Sequence, residues 1–141
     1  MIITNKVKLH MVSKPTTWAE VEELDLINKL KEACSTAWVK GYGLAAIQIG
    51  IPIQFAWINV DGKDHYLINT KITEYKGKRK MWREGCLSIP NQWYWSYRHN
   101  KIKGINNDKP FAAKGLIAHI VQHEVDHFNG KLVEDNGRLI L

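Results

Sequence analysis

The clearest chemistry in this chain lies in five consecutive residues, His123-Glu124-Val125-Asp126-His127, an H-E-x-x-H pattern. On a helix, residues four apart project from one face, so both imidazoles can reach a single metal ion. Glu124 follows His123 about 100° around the helix axis, which sets its carboxylate beside the metal rather than on it. That is where a general base acting on water has to stand. The competing reading is a pair of exposed or core-satisfied histidines. In a chain with six histidines, shuffling produces the full pattern in roughly 1 to 2% of cases, so the metal reading is preferred.

A hydrolytic metal usually has three protein ligands and one position left for water, so a third donor is needed. Glu134 and Asp135 follow Gly130 almost at once and leave little chain to fold back. Cys86 is the better candidate, because a thiolate suits zinc or iron and Gly85 before it permits close backbone approach. A buried structural thiol is the alternative for Cys86. Cys34 falls on an apolar helical stripe and reads as a small core residue.

The elements that must position these groups follow from patterning. Thr17 and Glu20 form a capping-box pair ahead of a helical repeat, which predicts a helix from about 18 to 39. Val7, Leu9 and Met11 alternate as in a short strand. Gly41, Gly43 and Gly50 bracket a loop-strand junction, and Asp61-Gly62 joins two predicted antiparallel strands, Ile53 to Val60 and His65 to Ile72. Lys80 to Pro90 reads as extended and Trp93 to Ile105 as strand, with Trp93, Trp95 and Tyr97 on one face expected to cover the core. From Pro110, as a first-turn proline, a helix of about eighteen residues is predicted to run up to Gly130.

Composition narrows the class. With 141 residues, 45% hydrophobic and 24% charged, the chain is expected to form a single domain over 1–141 with a real core. It holds no apolar run of bilayer length and no secretory signal pattern, so a cytoplasmic location with no membrane partner is expected. Two cysteines are too few for a disulfide framework. The +6 charge is dispersed except at Lys76, Lys78, Arg79 and Lys80, which read as a solvated loop or strand edge.

Three segments together resemble the peptide deformylase family: Gly41-Tyr42-Gly43-Leu44-Ala45-Ala46-Ile47-Gln48, Glu84-Gly85-Cys86-Leu87-Ser88-Ile89-Pro90, and Gln122 to His127. The resemblance runs from about Val7 to Leu132. It implies an α+β fold with antiparallel strands around a central H-E-x-x-H helix. It also implies removal of the N-formyl group from formyl-methionine nascent peptides, with release of formate. Cys86, His123 and His127 would hold one divalent ion, natively Fe(II), with Zn(II), Ni(II) or Co(II) as substitutes. Glu124 would move protons, and Gln48 with the Leu87 N–H would stabilise the oxyanion. Gly41, Tyr42 and Gly43 would pair with the peptide backbone. Trp82, Glu84, Gly85, Leu116, His119, Ile120 and His123 would surround the methionine side chain.

Arg98 sits where the family carries an arginine, with pairing to Asp126 expected and a surface position the alternative. Ile47 replaces a common proline, and His119 replaces a usually apolar pocket residue. The chain ends eleven residues past Gly130, so any transient ribosome contact is expected without the long C-terminal helix of typical bacterial members. The resemblance is to short, phage-encoded members acting in a bacterial cytosol. Two other readings stand beside it. One is a zincin-like endopeptidase with a carboxylate as third ligand. The other is a basic nucleic-acid or ribosome-binding module using Trp93 to Tyr97 and the lysine cluster; for the deformylase-like reading no specific DNA binding is expected.

Overall fold

A computed structural model describes residues 1–141. It has three short α-helices at the N-terminus, then six strands, and then two α-helices and a final strand. A one-turn helix α1 (Lys6–Leu9) is followed by α2 (Trp18–Glu23) and α3 (Leu26–Ser35). The strands β1 (Gly43–Ala45), β2 (Phe55–Val60) and β3 (Lys63–Ile68) make one antiparallel sheet in the order β1-β2-β3. The long strands β4 (Lys71–Cys86) and β5 (Ile89–Asn106) and the shorter β6 (Lys109–Lys114) make a second, in which the two-residue β7 (Arg138–Leu139) also pairs with β5. The helix α4 (Gly115–Phe128) carries residues 123–127, and α5 (Val133–Asn136) is a single turn near the C-terminus.

The hairpin between β2 and β3 forms where expected. Asp61 and Gly62 both adopt left-handed backbone (φ 53° and 77°), the type I′ geometry whose twist matches the flanking strands. At Gly43 the reason for glycine is close approach: a Cβ there would stand 2.4 Å from the Trp57 carbonyl oxygen across the β1–β2 pairing.

Helix α4 is buried on most sides. Ala118, Val121, Val125 and Phe128 pack against Ala56, Ile58 and Ile102 from the two sheets. Fully burying a valine or phenylalanine side chain contributes about 2 kcal/mol, which holds a 14-residue helix that would be marginal alone. Gln122 ties α4 to β5: its side-chain oxygen accepts from the His99 N–H at 3.2 Å and its amide donates to the His99 carbonyl at 2.8 Å. A second core lies beneath α2 and α3, where Leu26, Leu30 and Ala33 meet Leu44, Phe55 and Ile68.

Four local expectations are corrected. Residues 18 to 39 form two helices, because the chain breaks at Asp25 (φ 51°) and the second ends at Ser35. Thr17 does cap the first, accepting from the Glu20 N–H at 3.2 Å. Val7 and Leu9 lie in a helical turn rather than a strand. Pro110 belongs to the edge strand β6, where a residue without an N–H is tolerated, and α4 starts at Gly115. Trp95 and Tyr97 face outward, 41% and 55% exposed, while Tyr94, Ser96 and Arg98 point inward.

Candidate active site

The end of β4 and the last two turns of α4 bring together one sulfur and two imidazoles. Cys86 is the final residue of β4, and its turn closes on β5 through the Cys86–Ile89 pairing. Its Sγ lies 3.6 Å from His127 Nε2, and the donor atoms of Cys86, His123 and His127 all fall within 4.8 Å of one another. A tetrahedral metal with bonds near 2.1 Å to nitrogen and 2.3 Å to sulfur separates such donors by roughly 3.3 to 3.8 Å. The group therefore fits a metal in both spacing and chemistry. The fit is strengthened by a buried atom beside the donors without a protein partner, Glu124 Oε1, which can meet a water held at the site. Burial, with His123 adding to it, keeps the His127 imidazole well below its ordinary pKa, so it is neutral and able to ligate. Burial also pushes the Glu124 carboxyl up to about 7.

Glu134 and Asp135 stand apart from this group. They cluster with His10 near the surface, where Lys6 Nζ reaches Glu134 at 2.7 Å and His10 Nε2 lies 3.1 Å from Asp135. Those contacts fasten the N-terminal turn to the C-terminal one.

Behind the three donors lies a buried ionic network centred on Glu84. Its Oε1 accepts from Arg98 Nη2 at 2.7 Å and is also bonded to His123 Nδ1. Its Oε2 accepts from Ser96 Oγ at 2.6 Å and Arg98 Nε at 2.8 Å, and His119 Nε2 lies 3.2 Å away. Burial opposes ionisation of Glu84, but the Arg98 hydrogen bonds and His123 outweigh it and hold the carboxyl well below its usual range. The contact at His123 Nδ1 fixes the ring and leaves Nε2 to face Cys86 and His127. Arg98 also reaches Asp126 at 3.0 Å, the pairing expected from sequence, and so ties β5 to α4. Glu84 borders the pocket with both its oxygens engaged, and through them it holds His123.

Removing the arginine should be costly. Arg98→Ala strands a buried carboxylate, and breaking such a pair from one side typically costs 3–5 kcal/mol. It also frees the His123 ring, so metal affinity should fall about 10–100-fold. Urea unfolding and metal competition titration check the two effects separately.

A cavity of about 270 Å³ opens beside these groups, between the edge strands β1 and β4. Its walls include Gly41, Tyr42, Gly43, Gln48, Trp82, Gly85, Leu87, Leu116, His119 and Ile120, together with Glu84, His123 and Glu124. Tyr42 is the most open of these, 53% exposed. Trp82 and His119 pack ring to ring with centroids 4.5 Å apart. Burial lowers His119 to a pKa of about 4, so its imidazole is neutral. The Gln48 amide is pinned: Oε1 accepts from the Ala45 N–H at 3.0 Å, so Nε2 points to Ser88 Oγ at 3.1 Å and Cys86 Sγ at 3.6 Å. Sequence reasoning missed Ser96, Ser88 and the anchoring by Gln122. It also missed Val39, Lys40, Arg83 and Trp93, which complete the cavity wall. The inward alternation of Ser96 with Arg98 was the one signal that could have found any of them.

Comparison with known proteins gives consistent matches. The family model for polypeptide deformylase matches residues 2–138. A peptide deformylase of Bartonella tribocorum is 34% identical over 139 residues, spanning 90% of this chain and 77% of its own. A crystal structure of the Synechococcus elongatus peptide deformylase in complex with actinonin superposes with a TM-score of 0.84 at 31% identity, covering 98% of this chain and 78% of that one. A probable peptide deformylase from Synechococcus phage S-SSM7 gives the same TM-score and identity over 96% of this chain and 98% of its own.

Proposed function

Because the chain belongs to the polypeptide deformylase family, which removes the N-formyl group from nascent polypeptides, we propose that residues 1–141 act as one catalytic unit whose metal is held by Cys86, His123 and His127. The observation that carries this is the convergence of the Cys86 thiol and the His123 and His127 imidazoles of the central helix, beside a carboxylate that takes no protein hydrogen bond at Oε1. Fe(II) is the native ion in this reading, with Zn(II), Ni(II) or Co(II) able to replace it. When bound, it supplies Lewis acidity toward the formyl oxygen and lowers the pKa of water.

The chain's own residues do the rest. Glu124, poised near pH 7, accepts a proton from the attacking water and gives it to the departing amine nitrogen. Gln48 presents its amide hydrogens toward Cys86, and together with the Leu87 N–H it meets the negative charge that develops on the formyl oxygen. The backbone at Gly41, Tyr42 and Gly43, which leads into the edge strand β1, pairs with the peptide backbone, a mode that accepts many sequences. Trp82, Gly85, Leu116, His119 and Ile120 enclose the methionine side chain, whose thioether makes favourable contacts with the ring pair. The reaction takes place in the cytosol, where formyl-methionine chains begin.

Anaerobic assay of metal-loaded protein on formyl-Met-Ala-Ser tests the reading. Formate should appear with wild type, and its absence under full metal loading would remove the proposal. Gln48→Ala should lower kcat about 10²–10³-fold with metal content unchanged, the loss expected for one oxyanion donor. Steady-state kinetics beside metal analysis checks it.

A further inference from the structure

The outer face of the β4-β5-β6 sheet is a cationic lattice that the deformylase site does not use. Residues paired directly across strands share a face, and the alternation of β5 puts Trp95, Tyr97, Lys101 and Lys103 on the side away from α4. Lys76, Lys101 and Lys114 stand opposite one another across three strands. Arg79 and Arg83 continue the same face toward the mouth of the active-site cavity, which Arg83 itself lines. The strands give this face one carboxylate, Glu74, which bridges to Lys76 at 3.3 Å.

Two ordinary explanations fail here. Lysines protect exposed sheet edges, but Lys101 and Lys103 belong to β5, which is paired on both sides. A merely solvated face would not align like charges directly opposite each other, an arrangement that destabilises a sheet. Aromatics are set among these cations. Trp95 and Tyr97 are 41% and 55% exposed, the Arg79 guanidinium lies 5.7 Å from the Tyr97 ring, and Arg83 lies 4.6 Å from Trp93. From residue 95 to residue 105 the platform runs roughly 30 Å along β5.

We propose that this face binds single-stranded RNA, with the lysines and arginines on the phosphates and Trp95 and Tyr97 stacking on bases. Flat aromatics set among cations suit unstacked bases, whereas a lipid surface calls for a larger apolar patch than the one Met81, Trp95 and Tyr97 make, ringed here by Arg79 and Arg83. The choice of RNA also rests on the nascent-peptide reading, since such a substrate is delivered by an RNA-rich particle.

The test is fluorescence anisotropy of metal-loaded protein with a labelled twelve-nucleotide oligouridine. Wild type should bind, with affinity falling about 10-fold or more between 50 and 200 mM KCl. The Lys76→Glu/Lys101→Glu/Lys114→Glu triple variant should bind at least about 30-fold more weakly, and Trp95→Ala/Tyr97→Ala about 5-fold or more. Lys8→Glu/Lys29→Glu/Lys63→Glu makes the same charge change elsewhere and should cost no more than about 3-fold if the face, not net charge, binds. Formate release from a formylated tripeptide should be unchanged in every variant. That readout proves folding and is independent of RNA binding. Absence of wild-type binding at 50 mM KCl, equal losses in the two charge variants, or binding to phosphatidylserine vesicles but not to RNA would each overturn the proposal.

Discussion

Glu124→Ala is expected to lower kcat by about 10³-fold, or roughly 4 kcal/mol of transition-state stabilisation, while leaving one metal ion per chain. The two halves of this expectation have different origins. Glu124 sits one residue from His123 and is buried, but it is not among the three converging donors, so its removal leaves the metal set intact. Its Oε1 has no protein partner, so the side chain contributes little to folding and is poised to exchange a proton. Burial is the largest influence on its carboxyl, and the value of about 7 places the proton where either direction of transfer is accessible near neutral pH. Stability of Glu124→Gln, which keeps the volume, should match or exceed wild type, because an unpartnered buried carboxyl is replaced by a neutral amide. Kinetics, metal analysis and urea unfolding on the same preparations check all three points. Near-normal kcat in Glu124→Ala would remove the carboxylate from the reaction.

Cys86→Ser should have the second large effect, and it should act through the metal. A serine hydroxyl is a poor donor where a thiolate suits zinc or iron, so the variant loses one of three protein ligands. Loss of an outer partner of a ligand typically costs 10–100-fold in metal affinity, so loss of a ligand itself should exceed about 100-fold. Formate release should fall in proportion to metal occupancy. Cys34→Ala is the control. That thiol is packed against the core under α3, where burial raises its pKa, and replacing it should leave metal content and activity unchanged. Unimpaired metal binding in Cys86→Ser would favour the endopeptidase reading, in which a carboxylate completes the site.

What was readable from sequence divides along the range of the interactions involved. The His123–His127 spacing is local: one helical turn fixes it, and no distant contact is needed to see it. The Asp61-Gly62 hairpin is local in the same way. Cys86 is a different case. It lies 37 residues before His123 in sequence, and only the packing of α4 against the two long strands brings its sulfur to the imidazoles. The alternation of Trp93, Trp95 and Tyr97 correctly implied a strand but not which side faced inward. Hydrophobicity pointed the wrong way because the inward side at Ser96 and Arg98 serves the Glu84 network rather than an apolar core. The break at Asp25 lacks the usual glycine or proline signal. Pro110 is compatible with both a first helical turn and an edge strand, and pairing with β5 decided between them.

The proposed chemistry requires above all one ion shared by Cys86, His123 and His127. Anomalous diffraction at the metal edge, from crystals of anaerobically loaded protein, tests that most directly. The predicted result is a single strong peak about 2.3 Å from Cys86 Sγ and about 2.1 Å from a ring nitrogen of each histidine. A peak among His10, Glu134 and Asp135 instead, or none near Cys86 at full loading, would contradict it.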